Sequence, residues 1–210
     1  MTFESSKTLG GVGALLLFIG VIPPLGGYTF GVLPLVGLIL LLVGMKGLAD
    51  YYREAGIFNN VLYGTVAGIV GVVVFAAALF TSLVGFLTEI FPNWNGDWTS
   101  ITQLNPEDIS TNIASSNILP FVASILISFV ILFVAVLIVA LFYRKSLELL
   151  RNKTGIGMFG TVGTLLLIGA VLTIIFLIGL ILVWIAILLL AIAFFQLQPQ
   201  PAQTTATPAN

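Results

Sequence analysis

The sequence has no cysteine and no histidine, and its 210 residues include only 7 Lys or Arg and 8 Asp or Glu. Without cysteine there is no disulfide, thiolate metal site, iron–sulfur cluster or thiol switch. Without histidine the commonest general base and the usual haem and transition-metal ligand are missing. A soluble chain of this length would carry roughly fifty charged residues, about a quarter of its composition. The shortfall excludes a soluble globular fold, a disordered chain and a nucleic-acid binder, and a net charge of −1 offers phosphate no basic field. Hydrophobic residues make up 59% of the chain. That composition reads as an all-α, polytopic helical membrane protein whose first partner is the lipid bilayer.

A hydrocarbon core about 30 Å thick takes about 20 apolar helical residues. Apolar runs predict spans at residues 9–22, 31–50, 61–86, 118–143, 160–176 and 179–195. The first is broken by Pro23-Pro24, and the Gly26-Gly27-Tyr28 turn follows it. The last block, Gly160–Phe195, runs 36 residues without a charge. As one helix it would be about 54 Å long, beyond what tilt accommodates. A division near Phe176–Gly179 is therefore expected, although no polar turn marks it. Six short spans result, with four as the alternative if the first and last blocks each cross only once. Lys7 before an apolar run resembles a signal peptide, but no A-x-A-like cleavage site follows Ile22, so a retained span is expected.

Charge placement predicts the orientation. Lys7, Lys46, Arg53, Arg144, Lys145, Arg151 and Lys153 fall at the N-terminus or after spans two and four. The 92–117 loop and its approach carry Glu89, Asp97, Glu107 and Asp108 and no basic residue. By the positive-inside rule both termini are cytoplasmic, the 92–117 loop is external and the location is the cell membrane. The sequon Asn152-Lys153-Thr154 then lies on the inner side and is idle. Lys46/Asp50 and Arg144/Glu148 are i,i+4 pairs, and the segment around Leu147 and Leu150 reads as span four continuing amphipathically into the interface. Asn105-Pro106-Glu107-Asp108 is a helix start, with Asn as N-cap and Pro at the first helical position. The loop acids lack calcium-loop spacing, so a solvated loop is the plainer reading and no metal or cofactor is expected. Residues 196–210, rich in Gln, Pro, Thr and Ala, read as a disordered tail.

The polar chemistry inside the spans is thin. No ionisable group lies deep in any of them; Lys46 and Glu89 stand at span ends, where they can snorkel. Mid-span polar groups are the hydroxyls Thr65, Ser124, Ser128, Thr164 and Thr173, which in helices usually bond the preceding turn. Glycine is abundant, with 22 residues. Gly64-x-x-x-Gly68 followed by Gly71, and Gly10 with Gly13, put small residues where helices approach closely. These five are the helix-packing candidates: either an oligomerisation face or, more simply, contacts within one chain. An internal echo accompanies them. Gly10-Gly11-Val12-Gly13-Ala14-Leu15-Leu16-Leu17 lies over Gly160-Thr161-Val162-Gly163-Thr164-Leu165-Leu166-Leu167 with six of eight positions identical. A repeat built this way would be parallel, and low complexity alone could also produce the match.

The block Ser6-Lys7-Thr8-Leu9-Gly10-Gly11-Val12-Gly13-Ala14 resembles a known family. So do Lys46-Gly47-Leu48-Ala49-Asp50-Tyr51-Tyr52, Gly56-Ile57-Phe58 and Ala191-Ile192-Ala193-Phe194-Phe195 before the tail. They are similar to the largely archaeal membrane proteins catalogued as domain of unknown function 996, over about residues 5–196. The resemblance implies a multi-pass membrane protein and carries over no catalytic residue.

No convergent carboxylates, nucleophile elbow, phosphate loop or dinucleotide motif is present. The expected function is a non-enzymatic structural or accessory subunit with homo- or hetero-oligomeric membrane partners. The alternative is a channel or transporter for a small uncharged solute.

Overall fold

The computed structural model describes residues 2–20, 31–91, 94, 96–97, 99, 110–111, 113, 116–173 and 178–199. The Pro23-Pro24 and Gly26-Gly27-Tyr28 turn, the Asn105–Asp108 helix start and the tail beyond residue 199 lie outside them. The described chain is all-α, with no strand. Its helices are α1 (Phe3–Gly20), α2 (Val32–Tyr51), α3 (Ala55–Ile90), α4 (Ile118–Thr154), α5 (Gly157–Leu172) and α6 (Ile178–Phe195). Helices α2, α3 and α4 are long and apolar enough to cross a membrane, and the others are shorter and apolar.

Two helices overrun the apolar runs that announce them. α3 has 36 residues and α4 has 37, or about 54 and 56 Å at 1.5 Å per residue. Backbone hydrogen bonding does not stop where apolar side chains do. At the start of α3, Asn60 turns its Nδ2 back to the Gly56 carbonyl at 2.6 Å. The Phe176–Gly179 division falls partly outside the described residues; α5 ends at Leu172 and α6 begins at Ile178.

The chain divides into two units, residues 1–65 with 139–210, and residues 66–138. In the first, α1 packs on α2 and on α6, and α5 packs on α6. Its largest fully buried side chains gather at one end of α2 to α6. Met45 and Leu48 come from the last turns of α2, Ile57 and Val61 from the first turns of α3, and Leu147 and Leu150 from the end of α4. Phe159 and Val162 join from the start of α5, and Phe194 from the end of α6. Leu197 is also fully buried there, so the packed chain continues past the point where a polar tail was expected. It is the one large apolar residue between Gln196 and Pro199, and the turn bond from its N–H to the Phe194 carbonyl directs it inward.

Two connections in this unit use the left-handed backbone region two residues before the next helix. Gly155 has φ +74° ahead of α5, and Arg53 has φ 51° ahead of α3. Only glycine adopts that conformation freely, and a side chain there costs about 1 kcal/mol or more.

The second unit is an antiparallel pairing of the α3 and α4 segments it contains. A Cβ on Gly71 would overlap that of Ala135. Phe75 meets Phe129 at 5.5 Å, and Phe86 stacks on Phe121 at 4.1 Å. Asn117 N–H closes the far end on Glu89 Oε1 at 3.0 Å. The outward face is bare hydrocarbon, including Val73, Leu119 and Ile127, each more than 60% exposed. In water so much contiguous apolar surface would be an aggregation hazard.

Candidate functional site

Four of the five glycine candidates, Gly10, Gly13, Gly64 and Gly71, lie at a crossing within this chain. On α1, a Cβ at Gly13 would lie 2.7 Å from the Gly37 carbonyl oxygen. Across the same seam, a Cβ at Gly44 would lie 2.5 Å from the Gly10 nitrogen and 2.8 Å from the Ser6 carbonyl. Backbone thus lies against backbone, which only glycine permits. Gly10 also carries the Phe194 ring of α6 on its face. On α3, Gly64 receives the Tyr143 ring of α4, with Cδ2 2.8 Å from where a Cβ would stand. Gly71 meets Ala135 as described, and Gly68 is half-buried on α3.

The sequence reading missed the partners. Gly37 and Gly44, one heptad apart on α2, supply the other side of the α1 crossing. Gly169 and Gly179 do the same for α5 and α6, where a Cβ on Gly169 would be 2.9 Å from the Gly179 carbonyl. Their seven-residue and two-helix spacings were the available signals. Trp184 was also passed over. Its ring stacks on Phe18 at 4.4 Å, and its Nε1–H donates to the Phe18 carbonyl at 3.0 Å, tying α6 to α1.

The echo between Gly10–Leu17 and Gly160–Leu167 does not extend to what the glycines touch. Gly10 and Gly13 face α2 and α6, whereas Gly160 and Gly163 face Arg151 and Arg144 of α4.

Of the five hydroxyls named from the sequence, four turn back on their own helix. Ser124 donates to the Phe121 carbonyl, Ser128 to Ser124, Thr164 to Gly160 and Thr173 to Gly169, at 2.8–3.0 Å. Thr65 is the exception, sharing a 2.9 Å bond with the Tyr143 hydroxyl. Nearby, buried Ser146 donates to the Ile57 carbonyl at 2.5 Å. These two bonds fix the axial register of α3 against α4 in this unit, because each ties a side chain to one level of the opposite helix.

Every basic residue belongs to the first unit. Lys46 pairs with Asp50 at 2.8 Å and lies 5.6 Å from the Phe58 ring centroid. Lys153 reaches Glu54 at 3.3 Å. Glu148 pairs with Arg151 at 3.0 Å and not, among the described residues, with Arg144. Arg144 is instead laid along Gly163. Pairs this exposed contribute about 0–1 kcal/mol each, so they orient side chains more than they hold the fold. In the acidic loop, Asp97 accepts from the Thr99 hydroxyl and backbone N–H. The hydroxyl first, then the backbone bond, hold its carboxyl below the usual range. Among the described residues no three acidic side chains converge as a metal site.

At the turn after α2, Phe3, Tyr51 and Tyr52 form an aromatic cluster with centroids 4.8–6.5 Å apart. Burial first, then the charge Tyr51 would acquire, push the Tyr52 hydroxyl up to about 12. An unfolded tyrosine ionises near 10. Between the two values the unfolded chain releases the proton more readily, so this contribution to stability is complete below about pH 10. It is lost as the pH rises through about 12. An absorbance titration is expected to show one phenol ionising near pH 12 that Tyr52→Phe removes; a titration curve without that late step contradicts the burial.

A family model described as Protein of unknown function (DUF996) matches residues 33–188. An uncharacterized protein of Methanocaldococcus jannaschii, MJ1644, is 25% identical over 198 residues, covering 94% of this chain and 94% of its own. No solved structure matches. The matched segment runs from the start of α2 into α6 and takes in both units, and the chain belongs to this family of unknown function.

Proposed function

We propose that this chain is a multi-pass integral protein of the cell membrane with no catalytic role, serving as a structural or accessory subunit. Its termini face the cytoplasm and its 92–117 loop faces outward. The observation that carries the reading is how the polar groups are disposed. The hydroxyls of Ser124, Ser128, Thr164 and Thr173 are spent on their own helices' carbonyls and that of Thr65 on the bond with Tyr143. The basic groups gather in one unit, and the other presents hydrocarbon. Among the described residues little is left inside to coordinate a solute, while much apolar surface is left outside for lipid or for neighbouring helices. The placement of the core fits as well. Helix ends that meet water gain from the hydrophobic effect, whereas within lipid close contact has to suffice.

Purification in mild detergent tests the role. Stoichiometric recovery with a larger membrane assembly supports it. Recovery as a lone monomer that conducts a neutral solute in proteoliposomes overturns it in favour of a channel. The orientation has a separate test, made simple by the absence of native cysteine. A cysteine introduced at Asn95 is expected to react with an impermeant reagent in intact cells, and labelling only after lysis reverses the topology.

A further inference from the structure

The end of α4 and the start of α5 border a shallow, open cavity of about 520 Å3 lined by Arg151, Gly157, Gly160, Thr161, Thr164 and Leu165. Its shape depends on a glycine. A Cβ at Gly160 would stand 2.8 Å from Arg151 Cδ, 3.2 Å from Nη1 and 3.3 Å from Nε, so the arginine lies across bare backbone. One turn further along α5, Gly163 receives Arg144 in the same way, with Cα 3.2 Å and Cγ 3.3 Å from the corresponding point. Arg144 and Arg151 are seven residues apart and share a face of α4 with Glu148 between them. Glu148 accepts from one Nη1–H of Arg151 at 3.0 Å. A guanidinium has five N–H donors, so the fork keeps donors for a second acceptor, and the seam keeps one net positive charge. Thr161 is exposed at its rim. Helix α5 starts in the same cavity at Gly157 without a side-chain cap, which adds a weak preference for negative charge.

The face then changes character. Thr161, Thr164, Ile168 and Val171 recur at helical spacing along α5. Beyond the two threonines it is bare hydrocarbon, Ile168 and Val171 each being 44% exposed. A cation with hydroxyls at one end and an unpartnered apolar stripe at the other is the outline of an amphiphile. A free phosphate would use only the first half.

We propose that the α4–α5 seam binds an anionic phospholipid. Its phosphate oxygens accept from Arg151 and from the Thr161 hydroxyl, and one acyl chain lies along Leu165, Ile168 and Val171. Arg144 supplies a second positive charge to the headgroup. The chemistry recognised is a phosphate ester anion, and the apolar stripe selects the lipid over the free ion. The assignment rests on the bilayer placement proposed above, but not on the subunit role.

The test uses the full chain in nanodiscs made from mixed phosphatidylglycerol and phosphatidylcholine, with lipid retained after detergent transfer counted by native mass spectrometry. The expected result is preferential retention of phosphatidylglycerol, lowered about tenfold in apparent affinity by Arg151→Gln, the loss of one charge-assisted contact. Gly160→Leu, which fills the seam and keeps every charge, is expected to lower it comparably. Lys46→Gln removes one charge from the same unit and is expected to leave retention unchanged. If Arg151→Gln proves unstable, Thr161→Val serves in its place, with a smaller loss expected. Equal retention of the two lipids overturns the site, and so does an equal loss in Lys46→Gln, which would reduce the effect to general surface charge. Stabilisation of the detergent-solubilised protein by inorganic phosphate to the same extent as by phosphatidylglycerol overturns the lipid assignment. A chain that will not enter discs overturns the bilayer placement and the site together, whereas one that enters without lipid preference overturns the site alone.

Discussion

Replacing Gly44 with alanine is expected to lower the unfolding free energy by about 1–3 kcal/mol, and replacing it with valine by more. The added methyl would stand 2.5 Å from the Gly10 nitrogen, 2.7 Å from its Cα and 2.8 Å from the Ser6 carbonyl. All three are backbone atoms, so no rotamer change relieves the overlap. α1 has to withdraw, which also opens the Gly13–Gly37 approach one to two turns away. Alanine regains about 0.5–1 kcal/mol of helix propensity over glycine, too little to offset the lost crossing. The same substitution at Gly85, which has nothing within 4 Å of the added atom, isolates that propensity and is expected to raise stability by about 0.5–1 kcal/mol. Unfolding in mixed micelles can be followed by tryptophan fluorescence. Trp184 stacks on Phe18 of α1 and so reports the displacement of that helix. Equal stability of the Gly44 and Gly85 variants would mean that the α1–α2 crossing is looser than described.

The second large effect is expected at Phe194. Its side chain is fully buried, meets the Phe159 ring edge-on at 5.7 Å and covers Gly10. Truncation of a ring in a close-packed site costs about 3–5 kcal/mol where water is the alternative environment. Within lipid the transfer share falls and the contact share remains. Phe194→Ala therefore measures where this core lies: a loss near 4 kcal/mol places it at the wet end of the bundle, and a loss near 1 within hydrocarbon. We expect the larger value, because the neighbours Phe159 and Leu197 belong to helix ends and turns. The contact with Gly10 has its own signature. Gly10→Ala drives a methyl to 2.5 Å from ring atom Cδ1 and 2.7 Å from Cζ, which the smaller side chain of Phe194→Leu would relieve. The double variant is expected to be more stable than the sum of the two single losses by at least about 1 kcal/mol. Simple additivity would show that the two residues do not touch.

The helical class, the existence of α2 to α4 and the isolation of the basic residues were legible because each follows from composition along the chain. Apolar runs and charge are local properties, and a reader needs no partner to see them. Helix ends were less legible. The continuation of α4 past Tyr143 was legible in the amphipathic segment around Leu147 and Leu150, but the start of α3 at Ala55 depends on a helix running through Asn59-Asn60, where polarity changes but hydrogen bonding does not. The glycine motifs announced close packing but not with what. Gly-x-x-Gly on α1 meets the Phe194 ring at Gly10 and the α2 backbone at Gly13, whereas the same pattern on α5 meets two arginines of α4, some twenty residues earlier in sequence than Gly163. Leu197 was hidden by its surroundings, since one leucine between glutamines has no periodicity to read. The lipid seam was invisible for the same reason: Arg151 read only as one of the inner-side cations and Thr161 only as part of the internal echo, and neither reading pairs α4 with α5.

The separation of charge between the two units bears on how the protein is made. Residues 66–138 hold Glu89, Asp97, Glu107 and Asp108 and no base, and all seven bases stay with the rest of the chain. In the proposed membrane topology, residues 66–138 would carry only carboxylates outward during biogenesis. A potential negative inside assists each such transfer by about 2.3 kcal/mol per 100 mV, or about 9 kcal/mol for four anions moved through the full field. The seven bases would meet the same field as an opposing force. In the proposed orientation, the cell's own voltage would pull that segment out and hold the basic unit back.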